Sequence, residues 1–328
     1  MRARERLRRR WAELQLAPDG RPRPEAPFAR GPLAARVLAL AIDGATAVGC
    51  RLPAHVAHAL ATAGGTAEWA VRPGKRRRLA ANLAHAVGWP PDDPQVRRLV
   101  RLEVVNEARR SADLLWALGR PREFVSTTAF DGLEHVHAAL ARGRGMVLAG
   151  IHLGGWEVAT AIPKVVVPVP TTAIVADDWL AWAIEHMRVT AGLGVLYRSA
   201  TPLQAARILR AGETLLVLAD DGAGHQPRSF PVRFLDGRVQ MPAGVVSLAR
   251  LARTPIVSFY VLPLGPRRWR VLVDPPVEPP GRNEGDQGEQ RVLQALADRW
   301  GEVVRAYPEH WAAVYPIRWL DGPGEAGV

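Results

Sequence analysis

After Pro121 the chain stops reading as continuous helix and begins to alternate. Short apolar or β-branched runs fall at Phe124–Thr128, Met146–Gly150, Val165–Ala176, Val195–Tyr197, Thr214–Ala219, Pro255–Leu262 and Trp269–Val273, with helical spacing between them. Few architectures accommodate that pattern. It predicts an α/β fold with a central, mostly parallel sheet flanked by helices. From Leu52 to Leu118 the spacing is helical throughout, broken at Pro73-Gly74 and Pro90-Pro91. This third is expected to form a helical layer on the sheet, not a domain that folds alone. The expected organisation is a basic leader over 1–32, one domain over 33–320 and a short tail over 321–328. Within the domain, the helical layer runs over 33–120 and the α/β core over 121–320.

Charge limits the partners. Lys+Arg number 43 against 32 Asp+Glu, a net +11 over 328 residues, and the only lysines are Lys75 and Lys164. Such a balance favours anionic partners, whether a phospholipid surface, phosphorylated cofactors, an acidic carrier protein or nucleic acid. No recognisable DNA-reading helix or aromatic-studded RNA sheet motif supports the last. Six arginines within residues 2–10 suggest a solvated arm, or one drawn to anionic headgroups. Leu33–Cys50 is almost wholly apolar, but Arg36 and Asp43 lie seven apart and share a helical face. That predicts an amphipathic helix at an interface or packed on the domain, not a lipid-spanning one. Lys75-Arg76-Arg77-Arg78 reads as a solvated helix start, and His55, His58 and His85 as packing or surface residues. Cys50 is the single cysteine, so neither an internal disulfide nor a multi-cysteine metal site is available.

The chemistry concentrates at Gly150-Ile151-His152-Leu153-Gly154-Gly155-Trp156-Glu157. A buried strand ends there, glycines allow a sharp turn, and a helix is expected from Trp156 to Ile162. Of nine histidines, only His152 has a carboxylate five positions on. Across a tight turn Glu157 can take a hydrogen bond from one ring nitrogen, leaving the other as a general base. The same residues also fit a structural role, with His152 capping a strand and Glu157 complementing a helix dipole.

A second strand end carries Asp220-Asp221 before Gly222-Ala223-Gly224. Sheets of this class place their chemistry beyond the carboxyl ends of strands. The acidic pair fits a metal site, a clamp on a neighbouring arginine or histidine, or an ordinary turn. Arg188, Arg198 and Arg228 should reach the same side and together suit phosphate or pyrophosphate. There is no Gly-x-Ser-x-Gly elbow, no Gly-x-x-x-x-Gly-Lys loop and no His-Glu-x-x-His helix. What remains is a base–carboxylate dyad without a protein nucleophile.

Gly150 to Glu157 resembles the His-x-x-x-x-Asp/Glu signature of the lysophospholipid acyltransferases. More closely, it resembles the branch holding the lipid A late acyltransferases and phosphatidylinositol mannoside acyltransferases. Ordered pieces from about Leu52 to Trp319 extend the likeness. They are Arg78-x-x-x-Asn82-Leu83, Arg142-Gly143-x-Gly145, Arg188 before Gly192 and Gly194, Leu209-x-x-Gly212, Pro231-Val232-x-Phe234, Met241-Pro242-Ala243-Gly244 and Tyr307-Pro308-Glu309-His310-Trp311 with Arg318-Trp319. Two departures stand out. Gly155 replaces a frequent Asn, and Asp236 puts a charge near the expected acyl or acceptor channel.

The resemblance implies a glycerolipid-acyltransferase-like fold and transfer of a fatty acyl chain from acyl-CoA or acyl carrier protein to a hydroxyl of a glycolipid or lysolipid. It implies His152 as base, Glu157 as its partner, and no covalent intermediate, bound cofactor or metal. Backbone N–H groups at Gly154 and Gly155 are the expected oxyanion donors, with Arg188 a further candidate, and Arg198, Asp220 and Asp221 are expected around the substrates. The expected setting is a monomer held peripherally on the cytoplasmic side of the cell membrane. The main alternative is a relative that acylates a soluble or carrier-bound intermediate.

Overall fold

The computed structural model describes residues 32–158, 167–176, 185, 188, 191–220, 228–281 and 283–321. The basic leader, Asp221, Gly222-Ala223-Gly224 and most of the expected Trp156–Ile162 helix lie outside those residues. Four helices come first: α1 (Pro32–Gly49), α2 (Ala54–Val71), α3 (Pro73–Val87) and α4 (Pro94–Gly119). Proline opens α3 and α4, where its missing N–H leaves no bond unmade. The Asp93 carboxylate caps α4 by accepting from the Gln95 N–H at 2.7 Å, and Gly88 ends α3 in the left-handed conformation.

The expected strand over Phe124–Thr128 is corrected. Pro121 starts a short helix, α5 (Pro121–Ser126), which buries the Phe124 ring, and β1 (Thr128–Asp131) begins only after it. There follow α6 (Leu133–Leu140), β2 (Met146–Gly150), β3 (Thr171–Val175), β4 (Gly194–Tyr197), α7 (Pro202–Arg210) and β5 (Thr214–Leu218). The chain continues through β6 (Ser229–Phe234), β7 (Gly237–Pro242), α8 (Gly244–Ala252), β8 (Ile256–Gly265), β9 (Arg268–Val273) and α9 (Gly285–Ala306).

Seven strands form one sheet in the order β1-β9-β8-β2-β5-β3-β4. Every neighbouring pair is parallel except β8 with β9, so the predicted fold class holds. The two-residue period of a strand divides the core. Val147, Ala149, Leu215 and Val217 face the layer built by α3, α4, α7, α8 and α9, while Met146, Leu148 and Leu216 face Trp116, Phe124 and Val136. A hairpin of β6 and β7 stands apart from the main sheet and escaped the strand reading. The C-terminal segment extends it, with Gln240 N–H donating to the Arg318 carbonyl and Leu320 N–H to the Arg238 carbonyl.

The helical layer is tied to the sheet by buried charge. Arg267 donates to the carbonyls of Gly49 and Leu52, and its guanidinium lies 5.1 Å over the Trp116 ring. Asp113 accepts from the Arg267 N–H and bonds the His58 ring. Lys75, expected in solvent, is buried and paired with Glu68 and Glu107, so the basic run is solvated only at its Arg77 and Arg78 end. His85 stacks on Trp319 and meets Asp236, which removes that charge from the channel where it was expected. Among the described residues no helix is long and apolar enough to cross a membrane, while Leu40 and Val48 of α1 and Leu60 of α2 are exposed.

Candidate active site

β2 and β5 are parallel neighbours in register, with Gly150 opposite Leu218. Two residues beyond that pair, on each strand, stand His152 and Asp220. Strand adjacency therefore brings together two groups separated by 68 positions, and His152 Nδ1 lies 2.7 Å from Asp220 Oδ1. Both carboxylate oxygens also accept from the His152 backbone N–H at 3.0 Å, and Oδ2 accepts from the Trp311 indole N–H at 3.0 Å. Burial by itself works to raise the Asp220 pKa, but the imidazole and these N–H donors outweigh it and hold the carboxyl below its usual range.

This geometry revises the pairing of the ring. The bond expected from Glu157 to the imidazole is made by Asp220, one of the two acids considered for clamping a histidine. With Nδ1 bonded to a carboxylate, Nε2 is the ring nitrogen left to face a substrate, and it has no protein partner among the described residues. The ring is held on its faces too: Trp156 meets it edge-on at 4.8 Å and Tyr315 lies against it at 4.0 Å. His152, Trp156, Glu157 and Tyr315 share the wall of a cavity of about 460 Å³. Enclosure there lifts the Glu157 carboxyl above its ordinary pKa, against the pull of Arg110, Arg188 and His152.

The turn after His152 is built by close backbone approach. Gly154 has φ +64, and a Cβ on it would stand 2.0 Å from the Val261 carbonyl oxygen. A Cβ on Gly155 would stand 2.5 Å from the Trp269 ring, so the buried indole fills the space that an asparagine would need. The backbone N–H groups expected to form an oxyanion hole are both occupied: Gly154 donates to the His310 carbonyl at 2.8 Å and Gly155 to that of Val261 at 2.6 Å. They hold the turn and have no hydrogen left for a substrate.

Arg188, Arg198 and Arg228 line the same cavity, as their positions in the chain suggested, and Arg250 joins them. Burial pulls the Arg188 guanidinium below its ordinary pKa, with Glu157 foremost among the groups that oppose it. The remainder of the wall is largely apolar, including Ile174, Leu196, Val217, Val245 and Leu248. An imidazole, several cations and an apolar lining in one cavity suit a substrate with an anionic part and a hydrocarbon part. Trp311 reaches Asp220 although nothing in the sequence marks it as part of the site. It pairs with Leu153 by an isolated bridge, and Ala312 donates to the His152 carbonyl at 2.7 Å, so the C-terminal segment closes over the site.

Residues 35–320 match the family described as bacterial lipid A biosynthesis acyltransferase. The phosphatidylinositol mannoside acyltransferase of Mycolicibacterium smegmatis is 28% identical over 284 residues, covering 84% of this chain and 90% of that protein. A protein of the same description from Mycobacterium tuberculosis is 27% identical over 276 residues, covering 77% and 80%. Among solved structures, the 1-acyl-sn-glycerophosphate acyltransferase PlsC of Thermotoga maritima aligns with a TM-score of 0.35 at 13% identity, over 77% of this chain and 98% of that one. On the match that runs through the helical layer, the sheet and the closing C-terminal segment, the chain belongs to the bacterial lipid A biosynthesis acyltransferase family.

Proposed function

We propose that the protein moves a fatty acyl chain from a thioester, acyl-CoA or acyl carrier protein, to a hydroxyl of a glycolipid or lysolipid acceptor. The observation that carries this reading is the His152–Asp220 pair at the wall of a cavity with cationic and apolar linings. His152 Nε2 takes the acceptor's hydroxyl proton as the oxygen attacks the thioester carbonyl. Asp220 keeps the proton on Nδ1 and stabilises the imidazolium that forms. The C–O bond closes, the C–S bond breaks, and the departing sulfur takes the proton back from Nε2 to leave as a thiol. Such base catalysis is worth about 10²–10⁴-fold. No enzyme nucleophile enters the sequence.

Glu157 supports the imidazolium through space from within the cavity, and Arg188, which lines the same cavity and acts electrostatically on Glu157, meets charge developing on the carbonyl oxygen. The glycolipid acceptor is favoured by the mannoside acyltransferases among the relatives. The exposed apolar residues of α1 and α2, with the +11 net charge, favour peripheral binding to the cytoplasmic face of an anionic membrane. The test is thiol release and lipid mass spectrometry with acyl-CoA, acyl carrier protein and a lipid extract as substrates. Transfer should disappear in a folded His152→Ala variant. Transfer at the wild-type rate by that variant would reject the assignment.

A further inference from the structure

Glu289 of α9 is a carboxylate with 0% exposure that the acyl-transfer chemistry leaves unused. It gathers three side chains from elements distant in sequence. Oε1 accepts from Nε of Arg250 at 2.5 Å, and Oε2 accepts from Nε of Arg228 at 3.0 Å and from the Ser247 hydroxyl. Arg228 pairs further with Asp286. Arg228, Ser247 and Arg250 all line the His152 cavity.

A buried ion pair adds little net stability, because desolvating the charges offsets most of their attraction. What it does supply is orientation. Both arginines are held through Nε, which fixes the plane of each guanidinium. The Nη groups of Arg250 have no partner among the described residues, so its outer N–H donors remain for a planar, multidentate acceptor. Phosphate oxygens match that fork.

We propose that Glu289 is a positioning residue that orients Arg250, with Arg228 beside it, to bind a phosphate group of a substrate in the cavity. The proposal rests on the acyl-transfer reading, since a thioester of coenzyme A or phosphopantetheine and a phospholipid headgroup both bring such a group. Either source presents the same chemistry to the fork.

Calorimetric titration with inorganic pyrophosphate tests the site without turnover. Arg250→Gln and Glu289→Gln should each weaken Kd about tenfold or more relative to wild type. Arg250 is a third exposed, so its variant folds even where the buried Glu289 variant fails to. An unchanged Kd in folded Arg250→Gln overturns the proposal. In turnover the loss should appear in KM with kcat nearly constant. If it disappears with S-acylpantetheine, which carries no phosphate, the donor supplies the group; if it disappears with a phosphate-free glycoside acceptor, the acceptor does. A loss that persists when both substrates lack phosphate marks Glu289 as a structural clamp only and overturns the proposal. Absence of transfer in the wild-type enzyme counts against the acyl-transfer reading alone, because the pyrophosphate titration still decides the site.

Discussion

Replacing Asp220 by Asn separates the two carboxylates near the imidazole. The change keeps shape and removes charge. Three donors converge on the native carboxylate: the His152 ring N–H, its backbone N–H and the Trp311 indole N–H. An amide offers one acceptor oxygen, so its NH₂ must face one of them. If the oxygen stays toward the ring, NH₂ opposes the indole N–H, costing about 1–3 kcal/mol for the unpaired donors, and the imidazolium loses a charge-assisted bond worth about 1.5–3 kcal/mol. If NH₂ turns toward the ring, Nδ1 becomes the acceptor, the proton moves to Nε2 and the base is lost. The first arrangement lowers kcat by about 10–10²-fold and the second by about 10²–10⁴-fold.

The assay is thiol release with a saturating thioester, alongside thermal melting to confirm folding. Glu157→Gln provides the comparison and should cost less than Asp220→Asn. A folded Asp220→Asn enzyme within fivefold of the wild-type kcat, or a Glu157→Gln enzyme slower than it, would refute the pairing. The pH dependence of stability gives a second check. The folded Asp220 carboxyl lies below its ordinary value, so its contribution is complete above the unfolded pKa of about 3.9 and is lost as pH falls through the lower folded one. The stability difference between wild type and Asp220→Asn should therefore shrink below about pH 4.

Three further outcomes follow from the same region. Trp311→Phe keeps the buried ring but removes the indole N–H from Asp220 Oδ2, and should lower kcat several-fold with KM unchanged and stability lower by about 1–2 kcal/mol. Gly154→Ala forces a Cβ against the Val261 carbonyl at positive φ, and should destabilise the protein by more than about 2 kcal/mol in denaturant titration. Burial, aided by Arg110 and Arg109, depresses the His310 pKa to about 4, so stability from its neutral form is full above about 6.5 and is lost as pH falls toward 4. His310→Gln should therefore lose less stability than wild type between pH 7.5 and 5, by up to about 2 kcal/mol.

Local signals carried the sequence reading a long way. His152 was identifiable because a short apolar strand, two glycines and an acid occur within one octapeptide. Its partner was identifiable only as a candidate, because the contact depends on β2 and β5 being neighbours in register, and no periodicity encodes strand order. The hairpin of β6 and β7 was hidden by Pro231, Arg233 and Arg238, which dilute the alternation expected of a strand. Phe124 looked like strand because a buried aromatic does not reveal which element buries it. The occupied Gly154 and Gly155 donors were unreadable for a related reason, since their acceptors belong to Val261 and His310, both more than a hundred residues away. Buried charges such as Lys75 and Glu289 carry no sequence mark at all.

The C-terminal clasp has a consequence for biosynthesis. Asp220 and the loop behind the imidazole are both secured by Trp311 and Ala312, residues the ribosome makes after every strand of the sheet. A nascent chain that has folded its sheet still lacks the indole that steadies the acid, so competence arrives late in synthesis. Proteolytic trimming upstream of Trp311 would strip the indole N–H from Asp220, the Ala312 N–H from the His152 carbonyl and the extension of the β6–β7 hairpin together.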